Sequence, residues 1–164
     1  RGNAAGLGGF FMRCQFIIEL WPAATVRLFV GMTNLTTQVA SDTPAAHFAG
    51  LWHDTTDPST GAGAFNFVTR DGTTTTKQQI TLSNAIAAGN SYDFYMYAKP
   101  NDTVIYWQLE DIVNNVVYTG SSSTNLPVST AFMQPQCQMS NGTANTTVTT
   151  TAFELARMGC ASDN

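Results

Sequence analysis

The chain is poor in charge, and the charges that it has are scattered. Charged side chains make up 11% of its 164 residues, against roughly 25% in an ordinary globular domain. Lysine occurs only at Lys77 and Lys99, and the formal net charge is −4. A surface that follows a nucleic-acid backbone needs clustered positive charge, so this composition argues against a nucleic-acid partner.

Long apolar runs are missing as well. No stretch approaches the roughly 20 apolar residues of a membrane-spanning helix, so we expect no membrane insertion. The chain opens on Arg1 rather than Met, and residues 1–9 are typical of a connector from a longer polypeptide. With 43% hydrophobic content in the chain, we expect residues 10–164 to form one domain with its own core.

Cysteine is scarce and odd in number. Cys14, Cys137 and Cys160 form neither a disulfide framework nor a Cys/His metal spacing, so the sequence predicts no metal ion and no cofactor. Cys14 falls on the apolar side of its strand pattern, and we expect a small buried hydrophobe there. Thiols used in this way suit synthesis in a reducing cytoplasm.

What the chain does have is an apolar period of two along most of its length. In residues 11–20 and 26–33, apolar and polar side chains alternate as they do in half-buried strands. Turn signals separate about ten such stretches, which predicts an all-β fold, an antiparallel β-sandwich of the jelly-roll kind. We expect the first two strands to pair across residues 21–24, and one helical turn at residues 84–88.

Residues 92–110 hold six of the eighteen aromatic side chains. Residues 99–102 suit a type I turn, because the proline presets φ at the second position and the asparagine tolerates the third. A hairpin closed by that turn would pair Tyr95 with Tyr106. Because side chains alternate along a strand, the register then decides which residues share a face.

The two faces of this predicted hairpin differ in character. The face that we expect in the core carries Tyr92, Phe94, Met96, Ala98, Ile105, Trp107 and Leu109. The opposite face carries Tyr95, Tyr97 and Tyr106, whose rings have polar tips. Three interpretations stay open for these tyrosines: packing within the domain, a subunit interface, or a platform for sugar rings.

His53, Asp54 and Asp57 are the best candidates for chemistry. No nucleophile-elbow motif accompanies them, and their loop lacks the order of a calcium site. Three interpretations stay open for these residues: they cap a strand end by hydrogen bonds, they contact a metal or ligand, or they take part in catalysis. Glu110 and Asp111 are adjacent, so their side chains point to opposite faces and cannot flank one glycosidic bond. The sequence therefore predicts no enzymatic activity.

Seven segments in order carry a resemblance that spans almost the whole chain. They are GNAAGLGGFFMRCQF (2–16), RLFVGM (27–32), GLWHD (50–54), FNFVTRDGTTTTK (65–77), YDFYMYAKPNDTVIYWQLED (92–111), LPVSTAFMQPQCQMSNGTAN (126–145) and FELARMGCASDN (153–164). Together they resemble the C-terminal domain of tailed-bacteriophage tail fibre proteins. The resemblance implies a β-sandwich at the distal end of a virion protein, usually a homotrimer, that recognises the host cell surface.

With that resemblance, we expect residues 10–164 to be a receptor-binding domain of a virion tail fibre, made in the bacterial host cytoplasm. The expected partners are a host surface glycan (lipopolysaccharide or another polysaccharide), two further copies of the chain and the rest of the fibre polypeptide. The expected contacts, in loops and on the tyrosine face, are Trp52, His53, Asp54, Asp57, Asn101, Asp102, Tyr95, Tyr97 and Tyr106. The alternatives are a structural virion domain and a spike that cleaves polysaccharide.

Overall fold

The computed structural model describes residues 9–21, 26–39, 41, 44–55, 64–141 and 151–162. These residues form ten strands and no helix: β1 (Phe10–Leu20), β2 (Val26–Thr33), β3 (His47–Asp54), β4 (Ala64–Asp71), β5 (Thr75–Thr81), β6 (Ser91–Ala98), β7 (Ile105–Asp111), β8 (Val116–Ser122), β9 (Gln134–Asn141) and β10 (Ala152–Ser162). In this described part of the chain, no helix could cross a membrane.

The strands build two five-stranded sheets that face each other. Sheet A has the order β10-β1-β6-β7-β8, and sheet B has the order β5-β4-β3-β2-β9. All neighbouring strands are antiparallel. The predicted all-β antiparallel sandwich is therefore confirmed.

The predicted pairing of the first two strands is wrong. β1 lies in sheet A and β2 in sheet B, so the chain crosses the sandwich between them. Each strand has an apolar face, and the two faces meet across the core instead of lying side by side in one sheet. Trp21 lies where the chain passes from sheet A to sheet B, and its ring centroid is 4.8 Å from that of His53 in sheet B. The helical turn expected at residues 84–88 is also absent: residue 84 forms a bend, residue 88 belongs to a turn, and residues 85–87 have no regular structure.

The main core fills the space between the sheets. Its buried members from sheet A include Met12, Phe16, Tyr92, Phe94, Met96, Trp107 and Leu109, and those from sheet B include Leu28, Val30, Leu51, Phe65 and Phe67. Each fully buried aliphatic or aromatic side chain contributes roughly 1.5–3 kcal/mol. Aromatic contacts join the sheets, as where Phe67 stacks on Trp107 with ring centroids 5.6 Å apart.

The hairpin of β6 and β7 has the predicted faces but a different register. Tyr97 pairs with Tyr106 and Tyr95 with Gln108, two residues from the expected alignment. Asn101 has a φ of 59°, which fits the third position of a type II turn rather than type I. A shift of two residues keeps every side chain on its face, so the predicted inner residues are buried as expected.

A second apolar cluster lies on the outer face of sheet B. We call it the apolar patch; it consists of Phe29, Phe48, Trp52 and Val68, all buried, with buried Val39 packed against them. Val39 belongs to residues 35–39, here called the crossing segment. These residues run over the outer face of β9, as the hydrogen bonds to its glutamines show.

Three glutamines of β9 hold the crossing segment in place. The side-chain amides of Gln134, Gln136 and Gln138 donate to the carbonyls of residues 35, 37 and 39 at 2.6, 3.0 and 2.7 Å. Gln138 also accepts a hydrogen bond from the Val39 amide at 3.1 Å. Alternate side chains of a strand share a face, so the glutamines form a ladder beside the apolar patch. The protein's own chain thus covers part of this outer face.

Candidate functional site

The outer face of sheet A carries a groove at the end of the sandwich near residues 99–104. The register places Phe11, Tyr97, Tyr106 and Ser121 in one row across four strands. The next row across the same four strands consists of Arg13, Tyr95, Gln108 and Thr119. The tyrosine groove is lined by Phe11, Tyr95, Tyr97, Tyr106, Trp107, Gln108, Thr119, Gly120 and Ser121, and its volume is about 470 Å³.

Two tyrosines form a stacked pair along this groove. The rings of Tyr97 and Tyr106 lie 5.1 Å apart and are inclined by 18°, because the two residues are direct cross-strand partners. Tyr97 is 41% exposed, and the Lys99 ammonium group lies 5.9 Å from the Tyr106 ring centre. The pair therefore presents aromatic surface and phenol groups to solvent at the same place.

Tyr95 is held by a charged network beside the groove. Its hydroxyl donates to the Asp93 carboxylate at 2.9 Å, and the Arg13 guanidinium lies 5.0 Å from the centre of its ring. The Arg13 Nε also donates to both Asp93 oxygens, at 3.0 and 3.1 Å. Burial, and then the hydrogen bond to Asp93, raise the pKa of Tyr95. The phenol therefore stays neutral in ordinary buffers and its ring keeps one orientation.

Sequence reasoning missed Arg13 and Asp93. Both lie at outward positions of their strands, and Asp93 is 3% exposed. The hydrogen bond to Asp93 is the main cause that raises the pKa of Arg13. Their contact depends on the pairing of β1 with β6, about 80 residues apart in the chain. A local sequence pattern carries no signal for such a pairing. The alternation along each strand predicts only that both side chains point away from the core.

The structure places three of the predicted contact residues away from any open surface. Trp52 is fully buried in the apolar patch, and His53 is also fully buried, with its Nδ1 2.8 Å from the Ala64 carbonyl oxygen. Asp54 is 5% exposed and binds Arg27 at 2.7 Å. These contacts agree with the structural interpretation, in which polar groups secure a strand end. We therefore no longer propose these three residues as ligand contacts.

The other predicted contact residues in loops are Asp57, Asn101 and Asp102. Asp57 lies outside the described residues. Asn101 and Asp102 belong to the turn beside Lys99, at the opposite end of the sandwich from Asp54. The Asp102 carboxylate accepts from the amide of residue 104 at 3.1 Å, which shapes the turn. The structure therefore brings the three tyrosines together, with the turn as their neighbour.

The tyrosine groove offers aromatic faces next to neutral polar groups. Phenol, amide and hydroxyl groups donate and accept hydrogen bonds without a strong charge. Such a combination suits a ligand that has both apolar C–H faces and many hydroxyl groups. Within the described residues, no group of three His, Cys, Asp or Glu side chains is arranged to hold a metal ion.

Comparison with known proteins defines the fold class. No protein-family model matches the chain, and no curated protein sequence matches it. Solved structures do. One is arcelin-5, a lectin-like defense protein from Phaseolus vulgaris, with a TM-score of 0.66 and 11% identity over 98% of this chain and 73% of its own.

A second similar structure comes from a bacteriophage. It is the enzymatically active domain of tailspike protein 2 of bacteriophage CBA120, with a TM-score of 0.52 and 19% identity. The match covers 98% of this chain but 23% of the tailspike chain. At such identities these likenesses establish a shared β-sandwich fold, and their support for the resemblance to phage tail proteins is limited to that fold.

The prediction of no enzymatic activity is contradicted by the same comparison. The tailspike domain is described as enzymatically active. A family 7 alginate lyase also matches, with a TM-score of 0.54 and 11% identity over 99% of this chain and 64% of its own. This fold therefore occurs in enzymes, and the missing sequence motifs were no ground for excluding catalysis. A motif search reads only neighbouring residues, whereas side chains that meet on one face of a sandwich can come from strands far apart in sequence, as Arg13 and Asp93 do.

Proposed function

We propose that this domain binds a cell-surface glycan in the tyrosine groove of sheet A. Tyr97 and Tyr106 supply stacking surface for sugar rings, while Tyr95 is held ready by Asp93 and Arg13. Gln108 and Thr119 supply hydrogen bonds to sugar hydroxyls. A sequence poor in charge suits this role, because sugar hydroxyls need neutral donors and acceptors.

One observation carries the proposal. The outer face of sheet A exposes clustered tyrosines around a groove of about 470 Å³, whereas the aromatic residues outside sheet B are buried beside the crossing segment. Contiguous exposed aromatic surface marks interaction sites on soluble proteins. The lectin-like and tailspike folds among the similar structures support a carbohydrate ligand.

The biological setting that we propose is the tail of a bacteriophage. There the domain is the tip of a fibre, made in the host cytoplasm and assembled into the virion as a homotrimer with the rest of its polypeptide. The ligand is lipopolysaccharide or another polysaccharide of the bacterial host. Three weak grooves on one fibre give useful avidity, so no single deep pocket is needed.

The test compares binding of the purified domain to an array of bacterial surface polysaccharides. The variant Tyr97→Ala/Tyr106→Ala removes the stacked pair, and we expect its affinity to fall about tenfold, or roughly 1.4 kcal/mol. Val113→Ala, at an exposed position in the opposite turn, is the matched control and should bind like the unchanged protein. Equal binding by both variants would remove the groove from consideration.

The same experiment separates binding from other roles. Failure to bind any polysaccharide, together with capture by another virion protein, would favour a structural domain. The length of the polysaccharide is measured before and after incubation, because this fold also occurs in enzymes. Shortening that the double tyrosine variant lacks would mean that the groove binds its substrate for cleavage.

A further inference from the structure

Two cysteines meet in the core from opposite sheets. The sulfur atoms of Cys14 and Cys137 are 3.7 Å apart, although the residues are 123 positions apart in the chain. Cys14 lies on β1 of sheet A and is fully buried. Cys137 lies on β9, an edge strand of sheet B, and is partly buried. This contact therefore links β1, which carries Phe11 of the tyrosine groove, to β9, the strand that anchors the crossing segment.

The two thiols are well protected in the folded domain. The contact with Cys14, and then burial, raise the pKa of Cys137, so it stays a protonated thiol. A protonated thiol is a poor nucleophile, so Cys137 reacts slowly while the folded domain stays closed. Edge strands such as β9 open more readily than central strands, and such opening would admit a small reagent.

We propose that Cys14 and Cys137 are an oxidation site that closes into a disulfide between the sheets once the protein leaves a reducing environment. The oxidant is a small-molecule disulfide such as oxidised glutathione. One thiolate attacks it, forms a mixed disulfide and releases one reduced thiol. The second cysteine then attacks the mixed disulfide and releases another reduced thiol. Both cysteine sulfurs are oxidised, and the reagent takes up the two electrons and two protons.

The sulfur atoms have to come closer than their present 3.7 Å. A disulfide bond is about 2 Å long, so side-chain rotation and a slight approach of the edge strand β9 close the gap. The cross-link would restrict a loop of more than a hundred residues in the unfolded chain. Because stabilisation grows with loop length, we expect the thermal midpoint to rise by roughly 10 °C or more. This inference does not depend on the glycan proposal.

The experiment uses the full chain with Cys160→Ser, which removes the exposed thiol and with it links between molecules. The protein is incubated with oxidised glutathione, and its free thiols, intact mass and thermal midpoint are measured. We expect both thiols to disappear, with a mass loss of two hydrogen atoms. The midpoint should rise, and dithiothreitol should reverse the change. Cys160→Ser/Cys137→Ala is the control, and its midpoint should not rise.

Two results in the test protein, and one in its control, would overturn the proposal. One is the addition of glutathione to the protein with no internal disulfide, which would mean that the sulfurs cannot reach each other. The other is the survival of both thiols even in urea just below the unfolding transition, where the edge strands open. A midpoint that rises equally in the Cys137→Ala control would also contradict it, because the stabilisation would then come from elsewhere.

Discussion

Among the described residues, both outer faces of the sandwich carry aromatic side chains, but those of sheet B are buried and those of sheet A reach solvent. On sheet B, Phe29 and Trp52 are fully buried, and the crossing segment packs beside them. On sheet A, Tyr97 is 41% exposed, and Tyr95 and Tyr106 line an open groove. Phenylalanine and tryptophan gain from complete burial, whereas tyrosine hydroxyls gain from water or a polar ligand. Covered aromatics therefore stabilise the fold, and open ones are free to bind.

The largest effect that would sharpen this contrast is expected from Trp52→Ala. It empties a buried site within the apolar patch and should cost about 3–5 kcal/mol of unfolding free energy. Tyr97→Ala, the matched change on sheet A, should cost about 1 kcal/mol or less. Urea unfolding of both variants gives the comparison. Similar losses in the two would break the distinction between a covered and an open face.

A smaller loss is expected when the glutamine ladder is cut. Gln138→Leu removes both hydrogen bonds to Val39 and leaves its backbone groups unsatisfied, at a cost of about 2 kcal/mol. The Val39 amide should then exchange its hydrogen faster. Gln134→Leu is the control, because Gln134 is exposed and water can replace its single bond. Unchanged protection of Val39 in Gln138→Leu would mean that apolar contacts alone hold the crossing segment.

On sheet A, we expect a titration of Tyr95 to reveal its contact with Asp93 and Arg13. Asp93→Asn removes the negative charge beside Tyr95, and this charge helps to raise the pKa of Tyr95. The pKa should therefore fall in the variant, although burial keeps it above the ordinary value. Ultraviolet absorbance between pH 9 and pH 12 follows the change, with Asp102→Asn as the control. A Tyr95 transition that does not move would leave the groove without its proposed support.

The smallest effect is expected at a turn that belongs to neither outer face. Asp71 accepts hydrogen bonds from the amides of Thr74 and Thr73, which lower its pKa from 3.8 to about 2. Because folding lowers the pKa of Asp71, its carboxylate stabilises the fold at pH values above the ordinary pKa of 3.8. That stability is lost as the pH falls through about 2. The unfolding free energies of Asp71→Asn and the unchanged protein should differ at pH 6 and converge near pH 2. A constant difference would contradict this origin.

Much of the fold was predictable because the alternation of apolar and polar residues along each strand indicates which side chains are buried. Alternation placed Phe94 and Trp107 in the core and the tyrosines outside. The hairpin error of two residues did no harm, since faces repeat every two residues. Pairing between distant strands was not predictable: β1 was assigned to β2, whereas its neighbours are β6 and β10.

The candidate site was predictable only in part, for the same physical reason. Tyr95, Tyr97 and Tyr106 share one hairpin, so local alternation brought them together. Trp52 and His53 suggested a surface site because nothing in their own strand reveals what packs over them. What covers a side chain depends on tertiary structure. Trp52 lies beside the crossing segment, which glutamines of β9 hold from about 99 positions away, and His53 packs against Trp21.

The most direct test is to locate a bound sugar. The domain is crystallised with an oligosaccharide taken from the polysaccharide that it binds on the array. Our account predicts sugar rings against Tyr97 and Tyr106, with hydroxyls within hydrogen-bond distance of Gln108. A sugar seated on the crossing segment, or at the end of the sandwich near Asp54, would contradict the assignment of sheet A as the binding face.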